Sequence, residues 1–298
     1  MEGVHRWWQE LAGLVLPAEC AGCGRARTVL CPECRAELGG SRTHRVRLDP
    51  EPAGLRAVHA AAVYADEVRA VLLAHKERGG LALARPLGVA LAGAVRVGLG
   101  EEGVGVGEGP PPPRRGSVLL VPVPSAPSAV RARGHDPARR IALAAAGELR
   151  RGGVPVRVAA VLRQRRAVAD QSGLNSRERL DNLVGALAVV PGGVRVLREG
   201  VVVLVDDLVT TGASLAEAAR AVRAAVAGAG DGRAGGGEGA AAVYMGATRE
   251  GKGVRLSGAR RGGEAGVSAG SLVGGGAGDV LCAAVVAAAP DSFVINRN

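Results

Sequence analysis

VVLVDDLVTTGAS, residues 202–214, decides the architecture. With Val201 in front, five apolar residues run without interruption into Asp206 and Asp207. An apolar run of this length, closed by turn residues, is the pattern of a central strand in a parallel sheet, buried on both faces. Such a strand brings its acidic tip to the carboxyl edge of the sheet, where open α/β folds hold ligands. Thr210, Thr211, Gly212, Ala213 and Ser214 then turn the chain into a helix expected over residues 215–226. The first N–H groups of a helix have no intrahelical partner and point outward, which favours a phosphate. Gly212 lets the backbone approach phosphate oxygens closely, and the hydroxyls of Thr210, Thr211 and Ser214 add donors. Two carboxylates just before such a cradle suit the diol of a ribose, so the stretch reads as a site for ribose 5-phosphate. The plainer alternative is a strand–turn–helix with a solvated acidic tip.

Working outward, the same strand and helix patterns recur on both sides. Residues 58–64 read as a strand, 67–75 and 81–97 as helices, 117–122 as a buried strand and 138–149 as a helix. Residues 156–162 form another expected strand and 180–187 a shorter element. Residues 101–116, with four consecutive prolines at 110–113, read as a surface insertion. Residues 39–57 read as a connector. After the helix at 215–226, residues 228–279 are Gly-rich, and one more strand is needed; 240–247 and 280–289 are the candidates, and the second is preferred. Alternating strands and helices define an α/β fold, an open and mostly parallel sheet flanked by helices. The expected organisation is a small N-terminal module at 1–38, a core at 58–227, an insertion at 228–279 and a closing strand with tail at 280–298.

The N-terminal module is read from its cysteines. Cys20-x2-Cys23 and Cys31-x2-Cys34 stand seven residues apart, while Cys282 is remote and reads as a small buried residue. Each pair offers two thiolates to one tetrahedral ion, and Gly22 and Gly24 permit the turns that aim both sulfurs one way. Two disulfides or a redox pair are the alternatives; a cytosolic setting and the twinned motif favour structural Zn2+. Trp7, Trp8, Leu11, Leu14 and Val15 fall near helical spacing, so a short amphipathic helix packing on the body is expected before the cysteines.

Composition limits the rest. Apolar residues make up 47% of the 298 but aromatics only 2%, so the core must be built from Val, Leu, Ala and Ile. The net charge of +10 is carried almost wholly by Arg, with Lys only at 76 and 252; it points to phosphate-bearing partners or to a general Arg bias. No secretion signal or membrane-length apolar run stands out, so a cytoplasmic protein without membrane insertion is expected.

Residues 202–214 resemble the phosphoribosyl diphosphate (PRPP) signature of type I phosphoribosyltransferases. Lys76 in AHKERGG, VPVPS at 121–125, RARGHD at 131–136 and the rhythm Gln171, Leu174, Arg177, Asn182 resemble the ComF group of that family, as does the leading double CxxC. His135 and Asp136 depart from it, standing where the group has an aromatic residue and Asn. The resemblance implies a type I phosphoribosyltransferase fold, an acidic pair holding the ribose hydroxyls, a following loop on the 5′-phosphate, and Mg2+ bridging diphosphate and ribose. Lys76, Arg131 and Arg133 join the expected substrate-binding set, the two arginines as alternate loop residues on the diphosphate. Asp207 is the candidate for proton transfer and Asp206 for positioning the ribose.

A rival reading treats residues 201–207 as a Walker B strand and Gly246-x4-Gly251-Lys252 as a P-loop. It fails because Gly253 replaces the Ser or Thr that would hold Mg2+. The basic stretches at 163–166 and 260–261 lack interleaved aromatics and read as solvated faces. Two function classes stay open. One is an enzyme transferring a phosphoribosyl group to an unidentified acceptor. The other is a non-catalytic PRPP-binding scaffold in DNA uptake or processing, with single-stranded DNA or a competence helicase as partner, the setting that ComF resemblance implies.

Overall fold

The computed structural model describes residues 19–39, 43–49, 51–52, 55–101, 117–166, 176–229 and 280–292. The helix expected at 7–16, the insertion beyond Glu101, Gln171, Leu174 and the candidate strand at 240–247 lie outside them. In chain order the strands are β1 (His44–Val46), β2 (Val58–Val63), β3 (Ser117–Pro122), β4 (Val156–Val158), β5 (Leu162–Gln164), β6 (Leu187–Val189), β7 (Gly200–Val209) and β8 (Val280–Ala288). The helices are α1 (Pro32–Gly39), α2 (Asp66–Glu77), α3 (Ala84–Glu101), α4 (Pro127–Arg133), α5 (Pro137–Arg151), α6 (Ser176–Leu183), α7 (Gly193–Leu197) and α8 (Ala213–Gly228).

Six strands form one sheet in the order β1-β2-β8-β7-β3-β4. Only the β1–β2 pair is antiparallel. The molecule is therefore α/β with a mostly parallel mixed sheet. Val202, Val203, Leu204 and Val205 of β7 have no exposed surface, as a central strand covered on both faces requires. β8 is Ala- and Val-rich, and all nine of its residues are buried. It is the further strand preferred at 280–289, and it lies in the interior of the sheet between β2 and β7. Small side chains there let helices approach the sheet from both sides.

Two of the expected elements divide. Residues 156–162 supply β4 at the sheet edge and the first residue of β5, which pairs with β6 in a separate antiparallel ribbon. Residues 180–187 straddle the end of α6 and the start of β6. The connector at 39–57 contributes edge strand β1. By length and composition the continuous helical stretch Leu81–Glu101 is one that could cross a membrane, contrary to expectation. Most of it is buried; Leu87, Leu91, Val95 and Leu99, one face at helical spacing, have essentially no exposed surface. It is a core helix.

The connections create a crevice. From β3 the chain passes through α4 and α5 to β4 on one side. From β7 it passes through α8 and then reaches β8 on the other. Residues of α3 and α5 build the core on one face of the sheet, and those of α8 and α7 build it on the opposite face. Strand order thus reverses between β3 and β7, which opens the space beyond their carboxyl ends.

Candidate functional site

β7 outlasts its neighbour at this point. The last register pair with β3 is Pro122 with Val205, whereas pairing with β8 continues to Val209 and Ala288. Asp206 and Asp207 therefore lie within a strand whose β3 flank has already ended. They line a cavity of about 210 Å³ with Lys76, Ser125, Thr210 and Ser214, closed at the sides by Val123, Pro124, Ala138 and Leu208.

The electrostatics are strained by design of the sequence. Asp207 is buried, with 7% of the residue exposed, and its Oδ2 lies 3.0 Å from Lys76 Nζ at the end of α2. Burial pulls the Lys76 ammonium down, but the charges of Asp207 and Asp206 outweigh it and raise its pKa. Asp206 accepts a hydrogen bond from the Asp207 backbone N–H at 2.8 Å. Its pKa is nevertheless pushed well above the ordinary carboxylate value, first by burial and then by the adjacent Asp207 charge. Lys76 pairs with Asp207, and Asp206 beside them is inclined to keep its proton.

The turn after β7 has the expected form. Gly212 has φ of +74° and immediately precedes α8. The backbone angle demands glycine, and a Cβ there would also have to displace the tip of Leu48, whose Cδ1 would lie 2.3 Å away. Thr210 is exposed, and Thr211 and Ser214 are half-buried. Of the expected turn residues, Thr210 and Ser214 line the cavity. Ala213 is buried as the first residue of α8.

The arginine arm is built differently from the expectation. Arg131 and Arg133 belong to helix α4, not to a loop, and residues two apart on a helix diverge. Arg131 is exposed. Arg133 donates to Glu77 at 3.0 Å and to the Ala129 carbonyl at 3.2 Å. It ties α4 to the end of α2, next to Lys76, and neither arginine is among the cavity-lining residues.

Sequence reasoning left His135 and Asp136 without roles, and the structure supplies them. Asp136 caps α5: its Oδ1 accepts from Arg139 N–H at 3.1 Å, and its Oδ2 accepts from Ser125 N–H at 3.2 Å. It thereby fixes the loop after β3 against the helix start. An Asp followed by Pro137 at the first helical position was the available signal. His135 is buried, with one ring nitrogen 3.2 Å from the Arg133 carbonyl and the other 3.2 Å from the His75 carbonyl.

A second centre lies in the N-terminal module. The sulfurs of Cys20, Cys23, Cys31 and Cys34 are within 4.8 Å of one another, close enough for all four to hold one ion. All are free thiols. Cys23 and Cys31 are 3.7 Å apart; a tetrahedral Zn2+ with Zn–S bonds of about 2.3 Å sets sulfurs about 3.8 Å apart. A Cβ on Gly22 would meet the Cys34 sulfur at 2.7 Å, so glycine is required by the approach of the two halves. Burial raises the Cys20 thiol, but backbone N–H groups of Cys31, Cys23 and Gly22 overcome it and bring it to about 6. Burial and the neighbouring thiols push Cys34 up strongly. The cluster can release one proton readily, and a divalent cation supplies what the others need. Cys20, Cys31 and Cys34 pack into the core shared with α2 and α3, which makes a bound ion structural. Cys282 is buried in β8.

Neither a scan against protein-family models nor a search of curated proteins gave a match for this chain.

Proposed function

We propose that the crevice between β3 and β7 binds PRPP with Mg2+, and that the chain is a type I phosphoribosyltransferase-like protein of the ComF group. The observation that carries this reading is convergence. Lys76, the Ser125 loop, the acidic pair and the Gly212 turn come from three separate segments to one crevice at the point of strand reversal. The turn takes the 5-phosphate and the acidic tip takes the ribose hydroxyls. Mg2+ would arrive with PRPP, with the Asp207 carboxylate available to it, and would shield the diphosphate as it leaves.

In transfer, the C1–O bond to diphosphate breaks as a bond from C1 to the acceptor's nucleophilic atom forms, and the acceptor loses a proton. In this reading the two carboxylates divide the roles in the opposite way to the sequence expectation. Asp207, held by Lys76, suits anchoring of the ribose. Asp206, whose affinity for protons is raised, suits receipt of the proton.

Thermal melts with and without PRPP and Mg2+ test the reading. At a ligand concentration of about 100 Kd the expected stabilisation is about 2.7 kcal/mol, several degrees in Tm. The Asp206→Asn, Asp207→Asn double variant should show no ligand-dependent shift. An unshifted melt of the zinc-loaded parent overturns the reading.

A second reading is favoured by the arginine arm. With Arg133 engaged by Glu77 and Arg131 on a divergent face, the leaving diphosphate has less support than an enzyme would want. The pocket would then act as a PRPP sensor in DNA uptake or processing, beside single-stranded DNA or a helicase. Release of diphosphate from bound PRPP, measured with candidate acceptors, supports the enzyme; stable binding without release supports the sensor.

A further inference from the structure

Arg133, His135 and Asp136 line no part of the crevice, yet between them they reach two of its walls. Asp136 holds the loop that carries Ser125, through the Ser125 N–H at 3.2 Å. His135 and Arg133 hold the wall that carries Lys76. The His135 Nε2 lies 3.2 Å from the carbonyl oxygen of His75, one residue before the lysine. Arg133 donates to Glu77, one residue after it, at 3.0 Å.

The need for this support follows from where Lys76 stands. His75, Lys76 and Glu77 end α2, and the carbonyls of a last helical turn have no intrahelical N–H to accept from. The Gly80 N–H serves the Ala74 carbonyl at 3.0 Å. The His75 carbonyl is served from sixty residues away, by the buried His135 ring. Both nitrogens of that ring face carbonyl oxygens, of Arg133 and His75, and a carbonyl only accepts. The contact to His75 therefore belongs to a ring with its proton on Nε2, or on both nitrogens.

We propose that His135 is a positioning residue for Lys76: by holding the carbonyl before it, the imidazole keeps the ammonium within reach of Asp207. A lysine stem is flexible, so a fixed backbone is what confines its Nζ to 3.0 Å from the Asp207 carboxylate. The consequence for the ligand rests on the PRPP reading above, in which Asp207, steadied by Lys76, anchors the ribose.

The chain has two lysines, 76 and 252, so trace acylation read by mass spectrometry compares Lys76 with Lys252 within one sample of the full-length, zinc-loaded protein. Pairing with Asp207 keeps the Lys76 amine protonated and slow to react. His135→Phe keeps a ring in place and removes both donors; it should raise the Lys76-to-Lys252 ratio several-fold at unchanged circular dichroism and zinc content. His135→Gln, whose amide offers an N–H donor near the place of Nε2, should keep the parent ratio. A parent-like ratio in folded His135→Phe overturns the proposal, as does an equal rise in His135→Gln. If His135→Phe does not fold, Glu77→Gln replaces it, since Glu77 is exposed and its loss frees Arg133. That variant should raise the ratio to a lesser extent, and an unchanged ratio overturns the proposal. The labelling needs no PRPP, so a parent that fails to bind PRPP counts against the proposed function alone. Where the parent binds, His135→Phe should weaken binding several-fold and His135→Gln should not.

Discussion

The cysteine module and the crevice both gather ionisable groups into a small volume, and they differ in where the parts come from. The module's four cysteines lie within fifteen residues of chain, from Cys20 to Cys34, and three of them, all but Cys23, pack into the main core. The crevice draws Lys76 from α2, Ser125 from the loop after β3, and Asp206 to Ser214 from β7 and its turn. A local cluster can close on an ion early and lend its binding energy to folding. A dispersed one exists only once the sheet has formed, so folding supports it and it supports little in return. The difference teaches that the module should govern stability and the crevice should govern binding.

The largest effect should come from breaking the module. Cys34→Ser removes a buried sulfur from the four, and should abolish stoichiometric zinc in metal analysis. It should cost at least about 3 kcal/mol, roughly 6–12 °C in Tm. Chelation of the parent should reproduce most of that loss. If the variant keeps its metal and its melting point, the module is not the stabilising centre and the contrast collapses.

Next in size is Gly212→Ala, which places a methyl at positive φ and against Leu48. A loss of about 2 kcal/mol by denaturant unfolding is expected, together with loss of ligand binding. A neutral result would show that the turn relaxes and is not held for a phosphate.

Smaller, and opposite in sign, is Asp206→Asn. The folded protein holds the Asp206 proton more tightly than the unfolded chain does. The stability tied to that proton is complete below the ordinary carboxylate pKa and is lost as pH rises towards the raised value. The variant without ligand should therefore melt above the parent at neutral pH, by about 1 kcal/mol, and match it in acid. Crevice residues that stabilise when neutralised would mark a site kept for binding. A variant that melts lower at neutral pH would place Asp206 among the structural residues.

Much of the crevice was legible because β7, its turn and α8 are contiguous, and one period governs each piece. The rest was not, for identifiable reasons. RARGHD reads as a loop when taken as a ligand pattern, although Pro127 and Gly134 bracket its two arginines as helix start and stop signals. Beyond their local partners, Asp136 and His135 reach Ser125 and His75, up to sixty residues away, and no local pattern announces those contacts. β4 and β5 merged in the reading because Val158, Ala159, Val161 and Leu162 continue an apolar run through the bend between two sheets. The interior place of β8 was hidden for another reason: a run of Ala and Val fixes burial but not neighbours. The cysteine module was legible throughout its ligand set, since spacing alone confines four sulfurs to one point.

The central claim is that the acidic tip and the Gly212 turn act as one site for a phosphoribosyl group. Calorimetric titration of the zinc-loaded full chain with PRPP and Mg2+, beside the Asp206→Asn, Asp207→Asn double variant, tests it most directly. The account predicts saturable binding of one ligand per chain by the parent and none by a folded, zinc-loaded variant. Absence of heat with the parent, or equal binding by both proteins, would contradict it.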